Sequence, residues 1–157
     1  MFQIRGQFDV KMDVKGRIAL PVRLRDRLVN HDAGALVLTH YDGCIQGYTA
    51  ARWRKMERRF LGVSPFERRN RAFLLAFVAG AAEVVPDAAG RINVPPGLRR
   101  QAGLEKHCVL LSYMGAIEIW DPARLQVKQA QAHDILDETG GLEGFMAWDP
   151  DDDGEDL

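Results

Sequence analysis

Nine residues, Asp13-Val14-Lys15-Gly16-Arg17-Ile18-Ala19-Leu20-Pro21, return 74 positions later as Asp87-Ala88-Ala89-Gly90-Arg91-Ile92-Asn93-Val94-Pro95. Asp, Gly, Arg, Ile and Pro keep their offsets within the frame. A recurrence at fixed spacing marks a duplicated structural unit, and it constrains the fold more than any bulk property does. Leu24 and Leu98 hold the same offset of 74, whereas Val37-Leu38 with Val109-Leu110, Tyr41 with Tyr113, Gly43 with Gly115, and Ala51-Arg52 with Ala123-Arg124 lie 72 apart. The second copy is thus two residues shorter in one loop.

Each copy reads as strand, turn, strand, helix, strand, hairpin, strand, helix. Phe8, Val10 and Met12 alternate with Asp9 and Lys11 over Gln7–Met12, the period-two pattern of a half-buried strand. In the frame itself Asp13 and Asp87 accept backbone N–H bonds, and Gly16 and Gly90 take the positive φ of a tight reversal. Pro21 and Pro95 suit the first turn of the helices that follow. Val22, Leu24, Leu28 and Val29 form an apolar stripe opposite Arg23, Arg25, Asp26 and Arg27. Asp42-Gly43 predicts a tight hairpin between Ala35–Thr39 and Cys44–Tyr48, and Thr49 an N-cap for a helix carrying Trp53, Met56, Phe60 and Leu61.

Ser64-Pro65-Phe66-Glu67 predicts a capping box opening a helix to about Val78 that connects the copies. In the second copy, strands over Ala82–Val85, Arg91 onward, Cys108–Ser112 and Ala116–Trp120 surround a helix ending at Gly103 and a hairpin at Tyr113-Met114-Gly115. Asp121-Pro122 then caps a helix through Ala132. The domain reading is a first repeat over 1–63, a connecting helix over 64–80, a second repeat over 81–140, and an acidic, disordered tail over 141–157.

Formal net charge is −1 over 157 residues, but the average hides a division. Residues 1–72 carry 15 Lys and Arg against 7 Asp and Glu, while residues 134–157 carry 10 acidic residues and no basic one. A basic first half favours an anionic partner, and an acidic tail is able to compete with that partner for the same surface. Asp151-Asp152-Asp153-Gly154 lacks the ligand spacing and closing Glu of a calcium loop. Cys44 and Cys108 occupy unrelated places in the copies, and His31, His40, His107 and His133 are scattered. Neither set has metal-ligand spacing, so reduced, packed thiols, no metal and no cofactor are expected. No apolar run reaches membrane length, and Met1-Phe2-Gln3-Ile4-Arg5 lacks the form of a secretion signal, so a cytoplasmic location is expected.

The two Asp-x-x-Gly-Arg-x-x-x-Pro frames, the Met1-Phe2 start and Gly6 together resemble the MraZ family of bacterial transcriptional regulators, over roughly residues 1–140. The resemblance implies an α+β, β-rich fold of two tandem AbrB-like swapped-hairpin half-barrels with flanking short helices. It also implies a ring-shaped homo-oligomer associated with the nucleoid. That ring would bind short direct repeats in double-stranded DNA upstream of its own gene and repress the division and cell-wall gene cluster. The family's DNA-contacting motif carries over to Asp13, Lys15, Gly16 and Arg17, with a second copy at Asp87, Gly90 and Arg91. Ala89 replaces Lys15 in the second frame, which separates the two copies by role.

Arg17 suits DNA contact because a planar guanidinium pairs with phosphate or with the O6 and N7 edge of guanine. Lys15 serves as a phosphate anchor, and Arg5, Arg23 and Arg25 widen the basic face. Arg91 has two readings, a DNA contact and a salt bridge between subunits, of which the salt bridge is preferred. Asp13, Gly16, Pro21, Asp87, Gly90 and Pro95 are assigned to turn geometry, since a carboxylate is repelled by phosphate. Two other functional classes compete. A ring-forming interaction protein would use the basic face to bind an acidic protein partner. An enzyme would need a nucleophile, a His partner or a phosphate loop beside Asp13 and Asp87, and none stands at motif spacing. The reading therefore contains no catalytic residue, no small-molecule substrate and no membrane partner.

Overall fold

The structure is a computed structural model that describes residues 4–30 and 32–146. Two compact units divide the chain, the first running through Pro122 and the second starting at Ala123.

In the first unit the strands are β1 (Gly6–Lys11), β2 (Arg17–Ala19), β3 (Leu36–Tyr41), β4 (Cys44–Thr49), β5 (Ala82–Val84), β6 (Arg91–Asn93), β7 (His107–Tyr113) and β8 (Ala116–Trp120). The helices are α1 (Val22–Val29), α2 (Ala50–Phe60), α3 (Arg68–Phe73), which continues as a π-helical turn over Leu74–Val78, and α4 (Pro96–Ala102). Six strands form one antiparallel sheet in the order β1-β7-β8-β4-β3-β5, while β2 and β6 pair separately.

The hairpins are exchanged between copies. β1 pairs with β7 of the second copy, and β5 pairs with β3 of the first. The registers agree under the repeat offsets: Phe8 faces Leu110 as Ala82 faces Leu38, and Val10 faces Cys108 as Val84 faces Leu36. Equivalent residues meet each other at two places, Ile18 with Ile92 in the β2–β6 ladder and Gln46 with Glu118 in the β4–β8 ladder. A pseudo-twofold axis passes through both. The fold is α+β with two tandem repeats that share one core.

Apolar pairs related by the repeat fill that core: Ile18 and Ile92, Leu24 and Leu98, Leu38 and Leu110, Ile45 and Ile117. Both hairpin turns place two successive residues at positive φ, Asp42-Gly43 at 54° and 87° and Met114-Gly115 at 52° and 70°. This is the turn type whose twist matches that of the strands it joins. Thr49 caps α2 by accepting the Arg52 N–H at 3.2 Å. A second cluster lies on the other face of β3 and β4, where Val37, Trp53 and Phe77 are buried with Tyr48, Met56 and Phe60 against them. Phe77 stacks on Trp53 with ring centroids 5.6 Å apart, and its carbonyl accepts the buried Thr39 hydroxyl at 2.5 Å.

Several expectations are corrected. The connecting helix starts at Arg68, not at Pro65: Ser64 and Glu67 form no capping box, and Asn70 instead donates to the Ser64 carbonyl at 3.0 Å. Its second half is π-helical, a form that adjusts side-chain facing within a helix. Val22 and Val29 are exposed, so only Leu24 and Leu28 carry the burial of α1, and Leu61 lies past the end of α2 in solvent. Helix α5 spans Pro122–Glu138, starting at the last residue of the first unit and running beyond the expected end at Ala132, and in the second unit α6 spans Gly141–Met146, where the sequence predicts disorder. The rest of that tail, 147–157, and His31 lie outside the described residues. Among the described residues no helix is long and apolar enough to cross a membrane.

Candidate nucleic-acid interface

The recurring frame builds two turns with the same internal bonding. In the first, the Gly16 N–H donates to the Asp13 carbonyl at 3.0 Å and the Asp13 N–H to the Arg17 carbonyl at 2.9 Å. Asp13 Oδ1 accepts the N–H groups of Lys15 and Arg17 at 3.0 and 2.9 Å, and Oδ2 accepts Arg17 Nε at 2.7 Å. In the second, Asp87 Oδ1 accepts from Ala89 and Arg91 at 3.0 and 2.9 Å, and Oδ2 accepts Arg91 Nε at 2.8 Å. The Arg17 N–H, opposed by desolvation and helped by the Arg17 guanidinium, holds the Asp13 carboxyl below the usual carboxylate range. Asp87 is lowered by Arg91 in the same way. Each aspartate is therefore occupied with the turn, as its chemistry requires: a charged acceptor satisfies three donors on one short loop.

The two turns are also tied to each other. Leu20 N–H donates to the Gly90 carbonyl at 3.0 Å and Val94 N–H to the Gly16 carbonyl at 2.9 Å. Gly16 and Gly90 sit at φ of 84° and 75°, which favours glycine on its own. Each glycine also lies under an arginine from the opposite copy. A Cβ on Gly16 would fall 2.5 Å from the Arg99 guanidinium, and one on Gly90 would fall 2.4 Å from Arg25 Cδ.

The sequence-assigned residues are distributed as follows. Arg17 and Arg91 are equivalent in geometry, with side chains 30% and 36% exposed, each bound through Nε to its own aspartate. Their terminal guanidinium nitrogens make no hydrogen bond among the described residues, so each presents a fixed, outward cation. Arg91 finds its carboxylate in Asp87 of its own turn. Lys15 is exposed at the first turn beside the fully exposed Val14, and Ala89 takes its place in the second. Arg5 and Arg23 are exposed. Arg25 belongs elsewhere than expected: it packs on Gly90, at the second turn, with Asp26 at 3.8 Å from its Nε. The place beside Gly16 is filled by Arg99, which the sequence reading missed. Its signal was available, because Arg99 is Arg25 displaced by the repeat offset of 74.

Much of the basic excess of the first half lies away from the turns. Arg52, Arg54, Lys55, Arg58 and Arg59 are on α2, and Arg68, Arg69 and Arg71 are on α3. Among the described residues no group of three or more His, Cys, Asp and Glu could hold a metal ion. Cys44 and Cys108 are both buried, and neither forms a disulfide among the described residues.

Comparison with known proteins matches this architecture to a family. The family model of the MraZ protein matches residues 3–76 and again 77–138, one match over each Asp-held turn. The transcriptional regulator MraZ of Lactobacillus delbrueckii subsp. bulgaricus is 35% identical over 134 residues, covering 85% of this chain and 91% of the relative. That of Thiobacillus denitrificans is 35% identical over 144 residues, covering 90% and 97%. That of Thioalkalivibrio sulfidiphilus is 39% identical over 118 residues, covering 74% and 79%. These relatives are named as regulators of transcription, and the family is not one of enzymes. With two tandem matches and such identity along most of its length, the chain belongs to the MraZ family.

Proposed function

We propose that this chain is a sequence-specific DNA-binding regulator of transcription, a repressor that binds short direct repeats upstream of its own gene in the division and cell-wall cluster. It works as a ring-shaped homo-oligomer in the cytoplasm, at the nucleoid. The observation that carries the reading is the pair of Asp-held turns, cross-linked by backbone hydrogen bonds, each holding an arginine by Nε while its terminal nitrogens make no hydrogen bond among the described residues. A guanidinium held in one orientation before binding loses little freedom on contact, and its fork matches phosphate and guanine edges. Lys15 adds a phosphate anchor at the first turn only.

One subunit offers few contacts, so affinity depends on several subunits engaging spaced repeats at once. Linkage of this kind raises avidity by roughly 10²–10⁴ when subunit and repeat spacings agree. The test is a salt-titrated gel shift with the DNA upstream of the gene beside a scrambled duplex, run together with native mass of the free protein. Tight, salt-steep binding to the upstream duplex by an oligomer is expected. Equal, weak binding to both duplexes would overturn the reading in favour of a basic face that docks an acidic protein.

A further inference from the structure

The pseudo-twofold axis makes the two turns alike in backbone, but the side chains brought to them from the opposite copy make them unequal in charge. Arg99 of α4 lies on Gly16, with its guanidinium carbon and Nη1 both 2.5 Å from where a Cβ would stand. Its Nε is buried without a hydrogen-bond partner. The next residue, Arg100, lines the same cleft as Arg99, together with Met12, the residue that precedes Asp13, and Glu105. At the second turn the equivalent pair is Arg25 and Asp26, and Asp26 lies within 3.8 Å of the arginine it follows.

Lys15, Arg17 and Arg99 therefore stand at the first turn with Asp13, and Arg100 and Glu105 line the cleft that Arg99 shares with Met12. Arg25 and Arg91 stand around the second against Asp26 and Asp87. The first turn keeps a surplus of positive charge, and the second has none. Packing alone accounts poorly for Arg99: a guanidinium pressed on a glycine, with a buried, unpartnered Nε and no carboxylate within ion-pair distance among the described residues, is costly to desolvate. An anion at its terminal nitrogens offsets that cost.

We infer that Arg99 and Arg100, delivered by the second repeat, complete a composite phosphate-binding edge around Lys15 and Arg17, and that the second turn lacks a counterpart. The ligand chemistry is a nucleic-acid backbone phosphate. Each subunit then grips DNA through one strong edge made from both repeats, and neither repeat forms that edge alone. The inference rests on the DNA-binding reading above and adds to it two residues outside the recurring frame.

The test uses the full chain and a duplex of the DNA upstream of its gene, with binding measured across a salt series. Arg99→Gln is expected to weaken binding about tenfold and to lower the magnitude of the log–log salt slope by about 0.9, the loss of one neutralised phosphate. Arg100→Asp, which gives the first turn the charge pattern of the second, weakens binding further. Asp26→Arg, which gives the second turn the Arg-Arg pair of the first, tightens binding and steepens the slope. Circular dichroism and native mass establish that each variant folds and assembles. Because Asp26→Arg is read as a gain, misfolding does not mimic it. Wild-type affinity and slope in folded Arg99→Gln and Arg100→Asp, with binding lost in Arg17→Ala, would remove this inference and leave DNA binding standing. Failure of the wild-type chain to prefer the upstream duplex removes both.

Discussion

Ile18 and Ile92 face each other across β2 and β6, both fully buried, where the pseudo-twofold axis crosses the core. They are the same residue of the two copies, so each copy contributes half of a contact that neither has alone. Truncating either one opens a cavity at a point hemmed in by β-ladder backbone, where relaxation is limited. Ile18→Ala is expected to cost about 2–5 kcal/mol and Ile18→Val about 0.5–1.5 kcal/mol. Denaturant unfolding checks this. The Ile92 substitutions should match within experimental scatter, and a large difference between the two series would argue against a shared, symmetric core.

That symmetry also marks the limit of what the sequence could reveal. The 74-residue offset, the strands, the Asp42-Gly43 hairpin and the Thr49 cap are local patterns, and each is legible because its cause lies within a few residues. Hairpin exchange is a choice between related partners: Phe8 of β1 faces Leu110 of the second copy, where Leu38 is the equivalent residue of its own copy and faces Ala82 instead. Arg25 shows the consequence. Four residues after Pro21 it belongs in sequence to the first turn, yet the fold sets it on Gly90 and brings Arg99 to Gly16. The Ser64–Glu67 segment failed for a different reason. Its side chains have the composition of a capping box, but the Asn70 amide takes the Ser64 carbonyl and the Glu67 carboxylate, and the helix begins later.

Acid should destabilise the turns. Asp13 and Asp87 are held below their ordinary pKa chiefly by the backbone N–H groups of Arg17 and Arg91. A carboxylate lowered in the folded state contributes stability above its unfolded pKa of about 4, and the contribution is lost as pH falls through the folded value. The thermal midpoint is therefore expected to drop below about pH 4, and Asp13→Asn with Asp87→Asn should flatten that acid limb while lowering the midpoint at pH 7. An acid limb as steep in the double variant as in the parent would assign it to other carboxylates.

Cys108 is protected by its place in β7. Burial, reinforced by the Asp121 carboxylate, pushes its thiol up to about 11, and its Sγ lies 3.2 Å from the Glu105 carbonyl. Since the thiolate is the reactive form, folded protein at pH 8 should take up iodoacetamide at Cys108 at least tenfold more slowly than a model thiol of pKa about 8.5. Peptide mapping by mass spectrometry after timed quenching reads this directly. Rapid modification at Cys108 without loss of structure would show that β7 opens locally.

Arg17 and Arg91 provide the sharpest comparison, because their turns share bonding, exposure and φ while their neighbours differ. If DNA contact depended on the arginine alone, Arg17→Ala and Arg91→Ala would weaken binding equally. With Lys15 beside Arg17 and Ala89 beside Arg91, and with the charge surplus at the first turn, Arg17→Ala is expected to cost about 1–3 kcal/mol of binding and Arg91→Ala less than half of that. Each substitution also leaves an aspartate without its guanidinium, so thermal midpoints must be compared first, and the two should fall by similar amounts. Affinity for the upstream duplex then isolates function from turn stability. Equal affinity losses would make the two copies equal partners on DNA, and a larger loss in Arg91→Ala would move the reading edge to the second turn.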